Sequence, residues 1–98
     1  MTYTFHPEAL TEYLGAVDHY AGIDPHLAEA FIDEVEAAVS RILAHPEAWS
    51  ALEGGVRRCL LKRFPFGVYY GVEGETVVVY AVMHMSRRPD YWRGRSGR

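Results

Sequence analysis

The feature that most restricts the fold is a change of hydrophobic period midway along the chain. Through the first half, apolar side chains recur at three- and four-residue steps; from Val56 onward they recur at every second residue. The first spacing draws a stripe along one side of a helix, the second draws one face of a strand. Leu10, Tyr13, Leu14, Val17, Tyr20 and Ala21 form the first stripe. Pro7 suits the first position of that helix, Glu8 complements its positive end, and Gly22 is predicted to end it. Asp24-Pro25 then caps and opens a second helix, whose stripe is Leu27, Phe31, Ile32, Val35, Ala38, Val39, Ile42 and Leu43. His45-Pro46 closes it. Two amphipathic helices joined by so short a turn must form an antiparallel hairpin.

Ahead of Pro7, the β-branched and aromatic stretch TYTF predicts a first strand. Three more are predicted over residues 56–63, 68–72 and 76–83. Phe64-Pro65-Phe66-Gly67 and Glu73-Gly74-Glu75 separate them, and both connections are short enough for hairpins. The order is therefore β-α-α-β-β-β, an α+β fold with a helical hairpin packed on one face of a small, mainly antiparallel sheet. A chain of 98 residues is expected to be one domain, residues 1–98, with 94–98 frayed. Alternation places Val77, Val79, Ala81 and Met83 on one face of the last strand and Val78, Tyr80, Val82 and His84 on the other. The aliphatic set is expected against the helices. Tyr69, Tyr80 and His84 then lie on an open face with some of Arg57, Arg58, Lys62 and Arg63, unless a bulge reverses the parity.

Charge is segregated along the chain. Residues 1–50 carry nine acids and one base, Arg41, whereas residues 51–98 carry nine bases and four acids, a swing from -8 to +5. Such asymmetry points to an electrostatic footprint on one face, or to a basic sheet compensated by acidic helices. No apolar run approaches the length of a membrane span, no leader pattern is present, and the lone Cys59 has no disulfide partner, so a cytoplasmic protein is expected. The five histidines are scattered without metal-site spacing, and Gly54-Gly55 lacks the helix and lysine of a phosphate loop. No metal and no cofactor are expected. Strand alternation turns Cys59 and Arg58 to opposite faces, which makes Cys59 a packing residue rather than a nucleophile.

The chemistry-bearing residues concentrate at the end, in HMSRRPDYWRGR, residues 84–95. Arginine is suited to bidentate phosphate or carboxylate binding, and aromatic rings stack on bases. His84 is either a proton-transfer group near neutral pH or a strand-end histidine bonded to a backbone carbonyl. Tyr91 and Trp92 are expected to pin the tail to the core.

With these residues in place, the chain resembles the RelE/ParE superfamily of small growth-inhibiting toxins from bacterial, often plasmid-stabilising, toxin–antitoxin modules. The resemblance rests on the element order, an arginine near Arg57, FPFGVYY, and VVVYAVMHMSRRPDYWRGR, and it runs over essentially the whole chain. It implies a type II toxin neutralised by a cognate antitoxin in a hetero-oligomer, with an acidic antitoxin segment in the cationic groove. A ParE-like toxin acts on DNA gyrase and replication without cleavage chemistry; a RelE-like one is a metal-independent endoribonuclease cutting mRNA on the ribosome. For the nuclease, the resemblance implies His84, Arg87 and Tyr91 as catalytic residues. For nucleic-acid or target binding, Arg57, Arg58, Lys62, Arg63, Arg88, Arg93 and Arg95 are the candidates. The RelE-like pattern carries an arginine in the middle strand where this chain has Gly67, which favours the gyrase branch. A nucleic-acid-binding module or a toxin that has lost activity is the alternative of another class.

Overall fold

In a computed structural model, which describes residues 1–86 and 92–95, the chain runs β-α-α-β-β-β as expected. Strand β1 is Thr2–Phe5, helix α1 is Pro7–Ile23, and helix α2 is Pro25–Ala44. A 3-10 turn at Glu53–Gly55 precedes β2 (Arg57–Leu60), followed by β3 (Phe66–Glu73), β4 (Thr76–His84) and a second 3-10 turn at Arg93–Arg95. The sheet order is β1-β4-β3-β2, with β1 parallel to β4 and the other pairs antiparallel.

Asp24 is the whole connection between the helices. Its backbone N–H donates to the Tyr20 carbonyl and its side chain accepts from the His26 N–H, so one residue finishes α1 and caps α2. Gly22 therefore does not end α1; it lies inside the last turn. The stripe of α1 is also rotated from its expected position. Ala9 and Ala16 are buried, whereas Leu10 and Leu14 are 44% and 52% exposed. Small alanines at the contact let the helix lie close to β4, and the two leucines are turned to its flank. On α2, Phe31, Val35, Ala38, Val39 and Ile42 are buried as expected.

The FPF motif belongs to the core. Phe64 and Phe66 both pack edge-on against Phe31, with ring centroids 5.2 and 5.0 Å apart, and Tyr20 closes the cluster. Strand β2 is correspondingly shorter than expected, ending at Leu60, and β3 begins earlier, at Phe66. Gly74 has φ +64° at the first position of the two-residue β3–β4 loop, the backbone that a type II′ hairpin requires of glycine.

The β3–β4 ladder contains a bulge that resets the faces. Tyr69 pairs with Ala81 and Tyr70 with Val79, which leaves Tyr80 without an opposite number. Before the bulge, Val77 and Val79 face the helices as expected; after it, Val82 does so instead of Ala81 and Met83. His84 moves with Val82. Its ring meets Phe66 at 5.3 Å, and it borders a cleft with Glu12, Gly15, Ala16 and His19 of α1, so it is not on the face of Tyr69 and Tyr80. Nor is that second face open. Val56, Tyr69, Tyr80, Ala81, Met83 and Trp92 form a buried cluster there, with Trp92 from the tail 3% exposed.

Beyond Val79, whose carbonyl accepts from the His6 N–H, β4 runs past the end of β1 and its outer edge has no strand partner among the described residues. Side chains take over. Glu12 accepts from the Val82 N–H at 3.2 Å, and the Arg95 guanidinium donates to the Tyr80 carbonyl at 3.2 Å. The two side chains pair at 2.8 Å, with Arg95 only 7% and Glu12 18% exposed, and Glu8 lies 3.4 Å from Arg95. Gly94 and Arg95 belong to the second 3-10 turn, and the Arg95 guanidinium completes a buried strand edge; residues 96–98 lie outside the described residues. Glu12→Ala strands the Val82 amide and takes from the Arg95 guanidinium the nearer of its two carboxylates, and is expected to cost about 2–4 kcal/mol by urea unfolding. Glu12→Gln keeps an acceptor for the amide and should lose less.

Candidate functional site

Strand pairing sets where the cations go. Arg57 stands opposite Tyr70, on the helix side, and Arg58 opposite Tyr69, on the second face. Arg57 donates to the carbonyls of Trp49 at 2.6 Å and Glu47 at 3.4 Å, tying down the segment that follows α2. Tyr70 acts on the same segment: its hydroxyl donates to the Pro46 carbonyl at 2.5 Å. Burial raises its pKa to about 12, the Arg57 charge opposing and Cys59 adding to the rise.

Arg63 pairs with Glu34 of α2 at 2.8 Å, and the same carboxylate accepts from the backbone N–H groups of Lys62 and Arg63 at 2.9 and 3.1 Å. Burial alone would raise the Glu34 carboxyl. The side-chain and backbone bonds from Arg63, the bond from Lys62 and the Arg63 charge outweigh it, and the pKa falls below its ordinary value. Arg93 pairs with Glu53 at 2.6 Å. Arg58 and Lys62 are different: neither side chain has a partner among the described residues.

Arg58, Tyr69, Trp92, Arg93, Leu52 and Glu53 line a cleft of about 380 Å³ on the second face. The Tyr69 and Trp92 rings form one wall, with centroids 6.4 Å apart and planes tilted by 31°. Gly67 makes room for it. A Cβ there would stand 3.0 Å from the Tyr69 ring and 3.3 Å from the Arg58 side chain, so those two groups occupy the space beside the strand. Gly71 has a similar reason: its Cβ would meet the Tyr80 ring at 2.9 Å, and that ring's hydroxyl donates to Glu73.

His84 is exposed, and its Nδ1 lies 3.1 Å from the Ser86 backbone N, which donates to it, and 2.8 Å from the Ser86 hydroxyl. It sits across the sheet from Arg58 and Tyr69. Arg87, Arg88 and Tyr91 lie outside the described residues. Cys59 is buried, with its thiol pKa raised by burial against the lowering effect of Arg41. Among the described residues no three histidine, cysteine or carboxylate side chains gather to hold a metal ion, and no helix is long and apolar enough to cross a membrane. Sequence reading allowed for acidic helices compensating a basic sheet but singled out none of Glu12, Glu34 and Glu53 as partners. No local spacing could have found them, since each answers a residue brought near only by the fold.

A family model for the ParE toxin of the parDE type II toxin–antitoxin system matches residues 3–89. The chain belongs to this family. It is accordingly the toxin component of a ParDE-like module, and its partner class is a cognate antitoxin. A solved chromosomal ParDE TA system from P. aeruginosa contains a chain of the same fold, with a TM-score of 0.74 at 23% identity over 86% of this chain and 95% of that one. No curated protein matches at a significant level.

Two neighbouring arginines should therefore behave oppositely in this ParE-family chain. Arg57→Ala is expected to lower stability by about 1–2 kcal/mol, because it strands carbonyls, whereas Arg58→Ala should stay within about 0.5 kcal/mol. Urea midpoints distinguish the two outcomes. A pH effect follows from Glu34. Its lowered pKa means that its contribution is complete above the ordinary value of 4.5 and is lost as pH falls through the folded-state value. Wild type should exceed Glu34→Gln in stability at about pH 7, and the gap should narrow toward about pH 3.

Proposed function

We propose that this toxin inhibits DNA gyrase, and hence replication, by binding rather than by cleaving a nucleic acid, and that its cognate antitoxin silences it. The observation that carries the reading is Gly67. At the middle-strand position where a RelE-like nuclease would present an arginine, the side-chain space is filled by Tyr69 and Arg58. His84 lends further support, because it stands on the helix side of the sheet while Arg58 and Arg93 stand on the other. A nuclease needs its proton-transfer group and its phosphate-holding cations around one reacting phosphate. In this reading Arg58 and Lys62 face the target, while Arg57, Arg63, Arg93 and Arg95 serve chiefly to hold the fold.

The test runs two assays in parallel on the purified chain: supercoiling by gyrase, and mRNA integrity on translating ribosomes. Supercoiling should fall with added toxin, recover with antitoxin, and be unaffected by His84→Ala, with mRNA intact throughout. Cleaved mRNA beside undisturbed supercoiling, with cleavage abolished in His84→Ala, would replace this reading with the nuclease.

A further inference from the structure

Strand β4 keeps two backbone groups idle beside α1. The Val82 N–H points out of the sheet, to Glu12, so Val82 and Val68 opposite it exchange no hydrogen bonds, and the Val82 carbonyl points outward too. His84, two residues on, repeats that orientation, while the Met85 N–H turns inward to Pro65. The Val82 carbonyl and the His84 N–H thus stand side by side on the outer edge, an acceptor and a donor. Neither has a hydrogen-bond partner among the described residues. They open on a cleft of about 300 Å³, bounded by Gly15, Ala16 and His19 of α1 and by Phe66 of β3. Met83 also borders it, and since its side chain packs in the second cluster, what it shows the cleft is backbone. We propose that this cleft binds the adenine base of a nucleoside or nucleotide, held edge-on by the Val82 carbonyl and the His84 N–H.

The free edge is too short for an added strand. Glu12 and Arg95 cover it up to the Val82 amide, and Met85 ends it. What remains is one acceptor followed by one donor, the complement of a flat heterocycle that carries a donor next to an acceptor. Adenine presents that pair, its N6 amino group and N1, with only a C–H beside it. Guanine, cytosine and uracil carry a third polar group on the same edge, which the two backbone groups would leave unpaired. Phe66 and the imidazoles of His19 and His84 offer flat surfaces for stacking, and the bonds from Ser86 to Nδ1 fix the His84 ring. No lysine or arginine among the described residues lines the cleft, so the base and not a phosphate supplies the recognition. Packing within the chain does not explain Gly15. A Cβ there would meet nothing within 4 Å, and glycine inside a helix is less stable than alanine. Its bareness keeps the mouth of the cleft open. The inference concerns a ligand site on the helix side of the sheet and holds whichever enzyme the toxin acts on.

The test follows the His84 backbone amide in the full chain labelled with 15N-histidine, its resonance assigned by its loss in His84→Gln. Adenosine should move that resonance downfield and saturate. N6,N6-dimethyladenosine lacks the donor and 1-deazaadenosine lacks the acceptor, and each should bind roughly tenfold or more weakly. Gly15→Leu fills the cleft from a position where a Cβ meets no neighbour, and leucine is the better helix former. Its thermal midpoint should hold while binding is lost; should the variant lose stability, the two analogues on the wild-type chain still decide. A single-stranded adenine oligonucleotide reports the source. Binding of both means that a base within a strand also fits, and binding of adenosine alone means a free nucleoside or nucleotide. The proposal is overturned if adenosine leaves the resonance unmoved, if either analogue binds like adenosine, or if folded Gly15→Leu binds like wild type. A response to the oligonucleotide alone overturns it equally. Supercoiling inhibition is read separately, so failure here leaves the gyrase reading standing, and the reverse.

Discussion

Tyr80 stands opposite no residue of β3, because Tyr69 pairs with Ala81 and Tyr70 with Val79. The consequences of this bulge reach most of the molecule. It lets two successive residues, Tyr80 and Ala81, face the second cluster, and it turns Val82 and His84 back to the helices. It also falls where β4 outruns β1, so the Tyr80 carbonyl and the Val82 amide need partners from outside the sheet. Arg95 and Glu12 supply them, and in doing so fasten the tail to α1. A strand edge left bare at this depth would be both unsatisfied and a template for unwanted pairing. Covering it with a buried ion pair costs desolvation, which the hydrogen bonds to the strand offset.

The architecture was legible because it depends on periodicity, which every residue of a segment reports. The change from a helical to an alternating pattern near Val56, the Asp24-Pro25 cap and the β3–β4 turn each gave a correct element. The facing of individual side chains was less legible. One extra residue inverts a strand's parity, and nothing in VVVYAVMH marks which residue is extra; Gly71 is intelligible as room for Tyr80 only once both are placed. On α1, Leu10 and Leu14 match a core stripe as well as Ala9 and Ala16 do, and only the closeness of the helix to β4 decides for the alanines. Likewise Phe64-Pro65-Phe66-Gly67 was readable as a hairpin connection, whereas Phe64 and Phe66 pack on the core against Phe31.

The same limit applies to charge. A swing from -8 to +5 between the halves of a sequence resembles a binding surface. Much of it is spent internally: Glu12 and Glu34, from the acidic half, hold Arg95 and Arg63 from the basic half. Those pairs act over the long loops of the chain and join the helices to the sheet and its tail. Segregation of charge along a sequence is then as much a means of joining two halves as an advertisement to a partner. What can meet a partner is the remainder, groups such as the side chains of Arg58 and Lys62, which pair with no described residue. A small remainder can discriminate between partners by geometry, by where a charge sits and not by how much charge there is.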